Sequence, residues 1–222
     1  MIPLSPGLAV ILDMDGVLID SNPIHRRAWE IFNGRYGLET TEAMHQRMYG
    51  KRNDQIILDF YGPGLTEQEI AARGSAKEQL YRELVGSRVE DHLVPGIRAF
   101  LEGTQEFPLG LATNAEPANV DFLLDKACLR KYFSTIIDGS QVEHPKPDPE
   151  VYLRTAGGLR TVPANCIVFE DSPSGVAAAL AAGMRVIGVG TTFGKLPGTH
   201  HYVDNFRDGS LVPWLCAQRA VA

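Results

Sequence analysis

Cysteine is scarce in this chain: Cys128, Cys166 and Cys216 stand far apart, with no C-x-x-C pair. An odd, scattered set of three excludes a disulfide framework and a zinc knuckle, and it fits a reducing cytosol. Long hydrophobic runs are missing as well. The first apolar stretch, residues 8–12, follows no basic segment and ends at Asp13, too short for a signal core or a membrane span, so a cytoplasmic protein is expected. Positive charge is not in excess: 27 acidic against 21 basic residues give a net charge of -6. That sign opposes the field a nucleic-acid groove or an anionic membrane selects, and neither is expected as a partner. Glycine (22) and proline (14) are too few for a collagen-like or disordered chain, and hydrophobic residues at 44% can build a real core. At about 150 residues per domain, 222 residues suggest one domain carrying a second, smaller body, as a monomer or weak dimer.

What is present has a clear rhythm. Leu8-Ala9-Val10-Ile11-Leu12 is continuously apolar, the pattern of a strand covered on both faces of a parallel sheet. Helical signals then follow without a strand. Asn22-Pro23 offers an N-cap and an N1 proline, residues 53–61 read as helix, and Thr66-x-x-Glu69 is a capping box that opens a helix to about Val85. After Val94-Pro95-Gly96 short apolar runs alternate with amphipathic stretches, the reading for βαβ units. Strands are expected at 109–112, 135–137, 166–169 and 186–189, with helices at 97–102, after Pro117, at 150–156 and after Pro173. The fold class is therefore α/β: a Rossmann-like, doubly wound parallel sheet (1–21 and 93–222) with an inserted all-helical cap (22–92). Trp29, Trp214, Phe60 and Phe122 read as core, and His200-His201, with no third ligand nearby, as structural.

Ligands of doubly wound sheets bind beyond the carboxyl ends of the strands, and polar residues gather there. The first strand ends in Asp13-Met14-Asp15-Gly16, the next in Thr113-Asn114, a later loop holds His144-Pro145-Lys146-Pro147-Asp148, and another strand ends in Glu170-Asp171-Ser172. Clustered carboxylates repel unless a cation joins them, and hard oxygen ligands without His or Cys point to Mg²⁺ and a substrate phosphate. In this reading Asp13 is the nucleophile, Asp15 the acid and base, and Lys146, Thr113 and a backbone N–H near Asn114 neutralise the transferring group.

These four clusters, D-M-D-G-V-L, Thr113, the lysine of H-P-K-P-D-P-E and E-D-S-P-S-G-V, resemble in order the four motifs of the haloacid dehalogenase-like superfamily. The helical insert resembles the small cap of the subgroup holding phosphoglycolate phosphatase and β-phosphoglucomutase. The resemblance implies Mg²⁺ held by the Asp13 carboxylate, the Asp15 carbonyl and Asp171, with Glu170 in the outer shell. The second aspartate, Asp15, argues against carbon–halogen cleavage. His25 resembles the cap-entry histidine that couples sugar binding to closure in the mutase, and Arg52 and Lys77 resemble basic cap residues that hold the substrate's distal groups there.

Two departures favour a phosphatase over a mutase. Glu116 stands where the mutase pattern has a lysine for a second phosphate, and Arg52 lies one residue closer to Gly50 than in that pattern. The expectation is a Mg²⁺-dependent phosphatase of a small phosphorylated metabolite, a sugar or organic acid phosphate. The alternatives are a β-phosphoglucomutase-type mutase and, remotely, a receiver-like phospho-acceptor domain.

Overall fold

A computed structural model of the chain describes residues 7–104 and 106–218. The strands are β1 (Ala9–Leu12), β2 (Leu109–Ala112), β3 (Thr135–Ile137), β4 (Cys166–Glu170), β5 (Arg185–Val189) and β6 (His201–Val203). They form one parallel sheet in the order β3-β2-β1-β4-β5-β6. The continuous apolar runs have the expected cause. In β1, Val10 and Leu12 enter one apolar cluster while Ala9 and Ile11 enter another on the opposite face. In β4, Ile167 and Phe169 divide from Cys166 and Val168 in the same way. A strand buried on both sides has no polar face to present.

Helices α1 (Asn22–Gly34), α2 (Glu42–Met48), α3 (Asn53–Tyr61) and α4 (Glu67–Val85) form the insert between β1 and β2. The capping box at Thr66 forms as read: the Thr66 amide donates to Glu69 Oε2 at 2.8 Å, and the Glu69 amide donates to Thr66 Oγ1 at 3.3 Å. α2 was not anticipated from the sequence, because Met44 and Met48 are its only large apolar residues and do not display a helical period. The helix start at Asn22-Pro23 shifts by one residue, with Ser21 at the cap position and no side-chain cap bond.

The two connections to the insert run side by side. The Asp20 amide donates to the His92 carbonyl at 2.8 Å and the Val94 amide to the Leu18 carbonyl at 3.0 Å. Apolar packing is continuous from Trp29, Phe32, Ile57 and Tyr81 of the insert into the face of the sheet holding Val10 and Phe169. That face also receives α5 (Ile97–Gly103), α6 (Pro117–Lys126) and α9 (Leu211–Gln218); the other receives α7 (Glu150–Gly158) and α8 (Pro173–Ala181). His201 stacks on Trp214 and His200 Nδ1 accepts from the Val186 amide, so both histidines serve structure. No helix among the described residues is long and apolar enough to cross a membrane.

The chain runs outward from β1 to β2 and β3, then returns to β4 on the other side of β1. This reversal opens a crevice at the carboxyl ends of β1 and β4, which places Asp13 beside Asp171.

Candidate active site

Asp13, Glu170 and Asp171 lie just beyond or at the ends of β1 and β4, and their carboxylate oxygens fall within 4.8 Å of one another. All three are buried. Lys146 Nζ enters from the loop before α7, 3.0 Å from Asp13 Oδ1 and 2.7 Å from Glu170 Oε1, and it donates to the Ala112 carbonyl at 3.1 Å. Three carboxylates thus face one ammonium, and two negative charges are left in excess. Burial pushes the Asp13 carboxyl up to about 7 even though Lys146 opposes the shift, and Glu170 and Asp15 add to it. Burial, then Glu170 and Asp13, raise Asp171 well above the ordinary range. Asp13 Oδ1, buried and paired ionically with Lys146, receives no hydrogen bond of good geometry. An oxygen without a donor, in a cluster two positive charges short, fits a divalent cation.

Glu170 occupies a different position. Its Oε1 accepts from Lys146 and from Tyr152 Oη at 2.7 Å, and its Oε2 accepts from the Asp171 and Ser172 amides at 3.0 Å. Five donors, counting Ser172 Oγ at 3.0 Å, saturate this carboxylate. It holds Lys146 and the β4–α8 turn in place. Burial disfavours its charge, but Lys146 and these bonds outweigh that and hold the carboxyl below its usual range.

Asp15 turns toward the insert. It accepts from Ser21 Oγ at 2.5 Å and lies 3.4 Å from His25 Nε2. Burial works against its ionisation; the bonds from His25 and Ser21 outweigh it, and the carboxyl is lowered. Thr113 Oγ1 is engaged by the Ala115 amide at 3.1 Å. Asn114 bridges the two bodies, accepting from the Lys146 amide at 3.2 Å and donating to the Gly50 carbonyl at 2.8 Å.

One cavity of about 80 Å³ gathers these groups. Asp13, Asp15, His25, Arg52, Lys77, Thr113, Asn114, Lys146 and Asp171 all line it, and Glu170 is buried beneath. Lys77 is not an exposed helix base: its side chain is 2% exposed, and its ammonium meets Glu78 at 2.8 Å and His25 Nδ1 at 2.7 Å. Glu116 also lines the cavity, and its carboxylate accepts from Arg82 at 2.5 Å.

Sequence reasoning missed Ser21, Asn22 and Thr192. Asn22 Nδ2 donates to Asp171 Oδ2 at 3.2 Å, and the Thr192 hydroxyl donates to the same oxygen. Asn22 reads in the sequence as a helix cap; the side chains of Ser21 and Asn22 are instead committed to the two aspartates.

Gly16 has φ +77°, and a Cβ there would stand 1.8 Å from Asp171 Oδ2. Gly16→Ala is expected to lose about 1–2 kcal/mol from the left-handed backbone alone. It should also push Asp171 aside and weaken binding of a divalent cation by about tenfold or more, which calorimetric titration measures.

Comparison with known proteins supplies the family. The model of haloacid dehalogenase-like hydrolases matches residues 8–183. The chain belongs to that family. A phosphorylated carbohydrates phosphatase of Thermotoga maritima is 35% identical to this hydrolase over 188 residues, 82% of this chain and 84% of that protein. The fructose-1-phosphate phosphatase YqaB of Escherichia coli is 31% identical over 183 residues, 81% of this chain and 95% of its own. The structure of β-phosphoglucomutase from Clostridium difficile superposes with a TM-score of 0.83 at 25% identity, covering 97% of this chain and all of that one (100%). The fold and its helical cap are those of this family, and the chain is a hydrolase of its phosphatase branch. The receiver-like alternative is set aside.

Proposed function

We propose that this hydrolase is a Mg²⁺-dependent phosphatase of a sugar phosphate, working through an aspartyl phosphate on Asp13. The observation that carries the reading is the buried Asp13–Lys146 pair beside Asp171 at the crevice. The phosphatases of phosphorylated carbohydrates and of fructose 1-phosphate among the relatives support the substrate class.

A carboxylate oxygen of Asp13 attacks phosphorus, a new O–P bond forms, and the ester O–P bond breaks. Asp15 gives a proton to the leaving alkoxide oxygen. It is ionised at rest, and the charge of an arriving phosphate raises its affinity for that proton. Water then attacks the acyl phosphate, Asp15 recovers a proton from it, and inorganic phosphate leaves with the Asp13 carboxylate restored. Lys146 compensates charge on the transferring group, with Thr113 and Asn114 completing its surroundings. Asp13 and Asp171 would hold Mg²⁺ together with the Asp15 carbonyl. That ion supplies charge neutralisation at the phosphoryl oxygens.

About 80 Å³ is far below the roughly 300 Å³ at which ligand pockets for sizeable molecules begin, so the cap must move to admit a sugar phosphate. We place the hinges near Ser21-Asn22 and Leu93-Val94, where the two connections pair. His25, Arg52 and Lys77 would contact the sugar body. The Glu116–Arg82 pair gives a second phosphate no free cation at that position, which favours hydrolysis over the mutase reaction.

Release of inorganic phosphate from a panel of sugar phosphates tests the function. With Mg²⁺, fructose 1-phosphate or a related ester should be hydrolysed, and chelation should stop the reaction. Isomerisation of β-glucose 1-phosphate to glucose 6-phosphate without phosphate release would replace this reading with the mutase.

A further inference from the structure

A second cleft stands beside the catalytic cavity, and the reaction above does not use it. It lies between α3 and α4 of the cap and two loops of the core, residues 114–117 before α6 and 139–140 after β3, and encloses about 580 Å³. Arg52, Asn53, Asn114 and Glu116 line both spaces, so the two meet at these four residues. The cavity at Asp13, about 80 Å³, is far below what a sugar needs, whereas the cleft falls within the roughly 300–1,000 Å³ of small-molecule sites. The body of an ester held at Asp13 must leave the cavity, and the cleft is the adjoining room.

Both walls of the cleft are fixed. On the core side the Gly139 amide donates to the Ala115 carbonyl at 2.9 Å, and a Cβ at position 139 would stand 2.5 Å from the Asn114 carbonyl oxygen, so the two loops lie in direct contact. On the cap side Asn53 Nδ2 donates to the buried Glu78 at 2.7 Å, which ties the start of α3 to α4. The middle of α4 lines the cleft with Ala71, Gly74 and Ser75, and no long side chain fills it from there.

The lining selects the chemistry of an occupant. Leu58, 42% exposed, offers apolar surface with Ile70 and Pro117, and the polar groups of Ser75 and Ser140 stand among them. A sugar ring has the matching make-up, a C–H face rimmed by hydroxyls. Asp54, Glu67 and Glu116 line the cleft against one cation, Arg52, so a second phosphate or a carboxylate meets an unfavourable field even with Arg82 offsetting Glu116. No aromatic ring is among the described residues of the lining, and a nucleobase would find nothing to stack on. The Arg52 guanidinium lies 3.6 Å from Asp54, too far for a hydrogen bond, which leaves its N–H donors for a hydroxyl at the junction.

We propose that this cleft is a subsite for a second, uncharged glycosyl unit, which makes disaccharide phosphates the preferred esters of this protein. The phosphate sits at Asp13, the first ring at the junction beside Arg52 and Asn114, and the second ring between Leu58 and the 139–140 turn. The rates expected from this rest on the phosphatase reading; the binding does not.

Glucose 6-phosphate and trehalose 6-phosphate differ by one neutral glucosyl unit and test the proposal. With Mg²⁺ the parent protein is expected to show a kcat/KM about tenfold higher for trehalose 6-phosphate. Ala71→Trp and Ser75→Trp, both at exposed positions of α4, put an indole into the cleft and should bring that ratio to about one. A general disturbance of the cap would instead lower both esters alike and keep the ratio. Calorimetric titration of the inactive Asp13→Asn protein should show the same preference of about tenfold in Kd, lost when Ser75→Trp is added. A ratio near one in the parent protein, in rate or in Kd, would overturn the proposal, as would a preference that survives both tryptophans or a titration in which neither ester binds. If fructose 1-phosphate and both of these esters go unhydrolysed while trehalose 6-phosphate still binds about tenfold more tightly than glucose 6-phosphate, the phosphatase reading fails and the subsite stands.

Discussion

Asp13→Asn is expected to lower phosphate release by about a thousandfold or more while leaving the fold intact, because an amide of nearly the same shape is a poor nucleophile. The same substitution should raise, not lower, the stability of the metal-free protein at pH 8. The Asp13 carboxyl titrates at about 7 in the folded state against an ordinary value of 3.8. A group raised in this way contributes its full stability below about pH 4 and loses it as pH climbs through 7. At pH 8 without a divalent cation the buried carboxylate is ionised among Glu170 and Asp171, at a cost of a few kcal/mol. Asparagine carries no such charge. Thermal unfolding in chelator should therefore show the variant above the parent at pH 8 and the gap closing at pH 5. Equal melting temperatures at pH 8 would contradict the electrostatic account of the cluster.

Lys146→Met should do the reverse. Methionine fills much of the lysine's volume, but it leaves Glu170 fully buried and Asp13 nearly so with no cation between them. Breaking a buried pair from one side costs about 3–5 kcal/mol. The Ala112 carbonyl would lose its donor as well. Turnover should fall by about 10²–10³-fold, since the ammonium that meets developing charge at the transferring group is gone. Calorimetry and a phosphate-release assay measure the two effects. Opposite signs for Asp13→Asn and Lys146→Met in chelator at pH 8 separate the excess of negative charge from any general effect of disturbing a core. A Lys146→Met protein as stable as the parent would show that the pair contributes nothing.

Much of this is legible in the sequence, for identifiable reasons. The unbroken run 8–12 has no polar face because both faces of β1 are covered, and this located the central strand. In such a sheet polar residues can stand only where a strand ends, so Asp13, Thr113 and Asp171 announced themselves by position. What escaped were contacts made by residues whose types have cheaper explanations. Asn22 looks like a helix cap and Ser21 carries no signal of its own, yet their side chains serve Asp171 and Asp15. Lys77 and Glu78, adjacent on a polar helix, look like a solvated ion pair; only the packing of α4 against α6 and α1 buries them. Two short elements were lost too, because α2 carries only Met44 and Met48 as large apolar residues and β6 opens on His201 and Tyr202 rather than on an apolar run. Glu116 could be read as a carboxylate in the cavity, but not as one paired with Arg82, 34 positions away.

The most direct test is to trap the covalent state. The protein is mixed with Mg²⁺ and fructose 1-phosphate, quenched during turnover and reduced with borohydride, and its peptides are sequenced by mass spectrometry. An acyl phosphate on Asp13 is reduced to homoserine, so the account predicts homoserine at position 13 and an intact aspartate at position 15. Brisk phosphate release with aspartate unchanged at position 13, or reduction at another carboxylate, would contradict it.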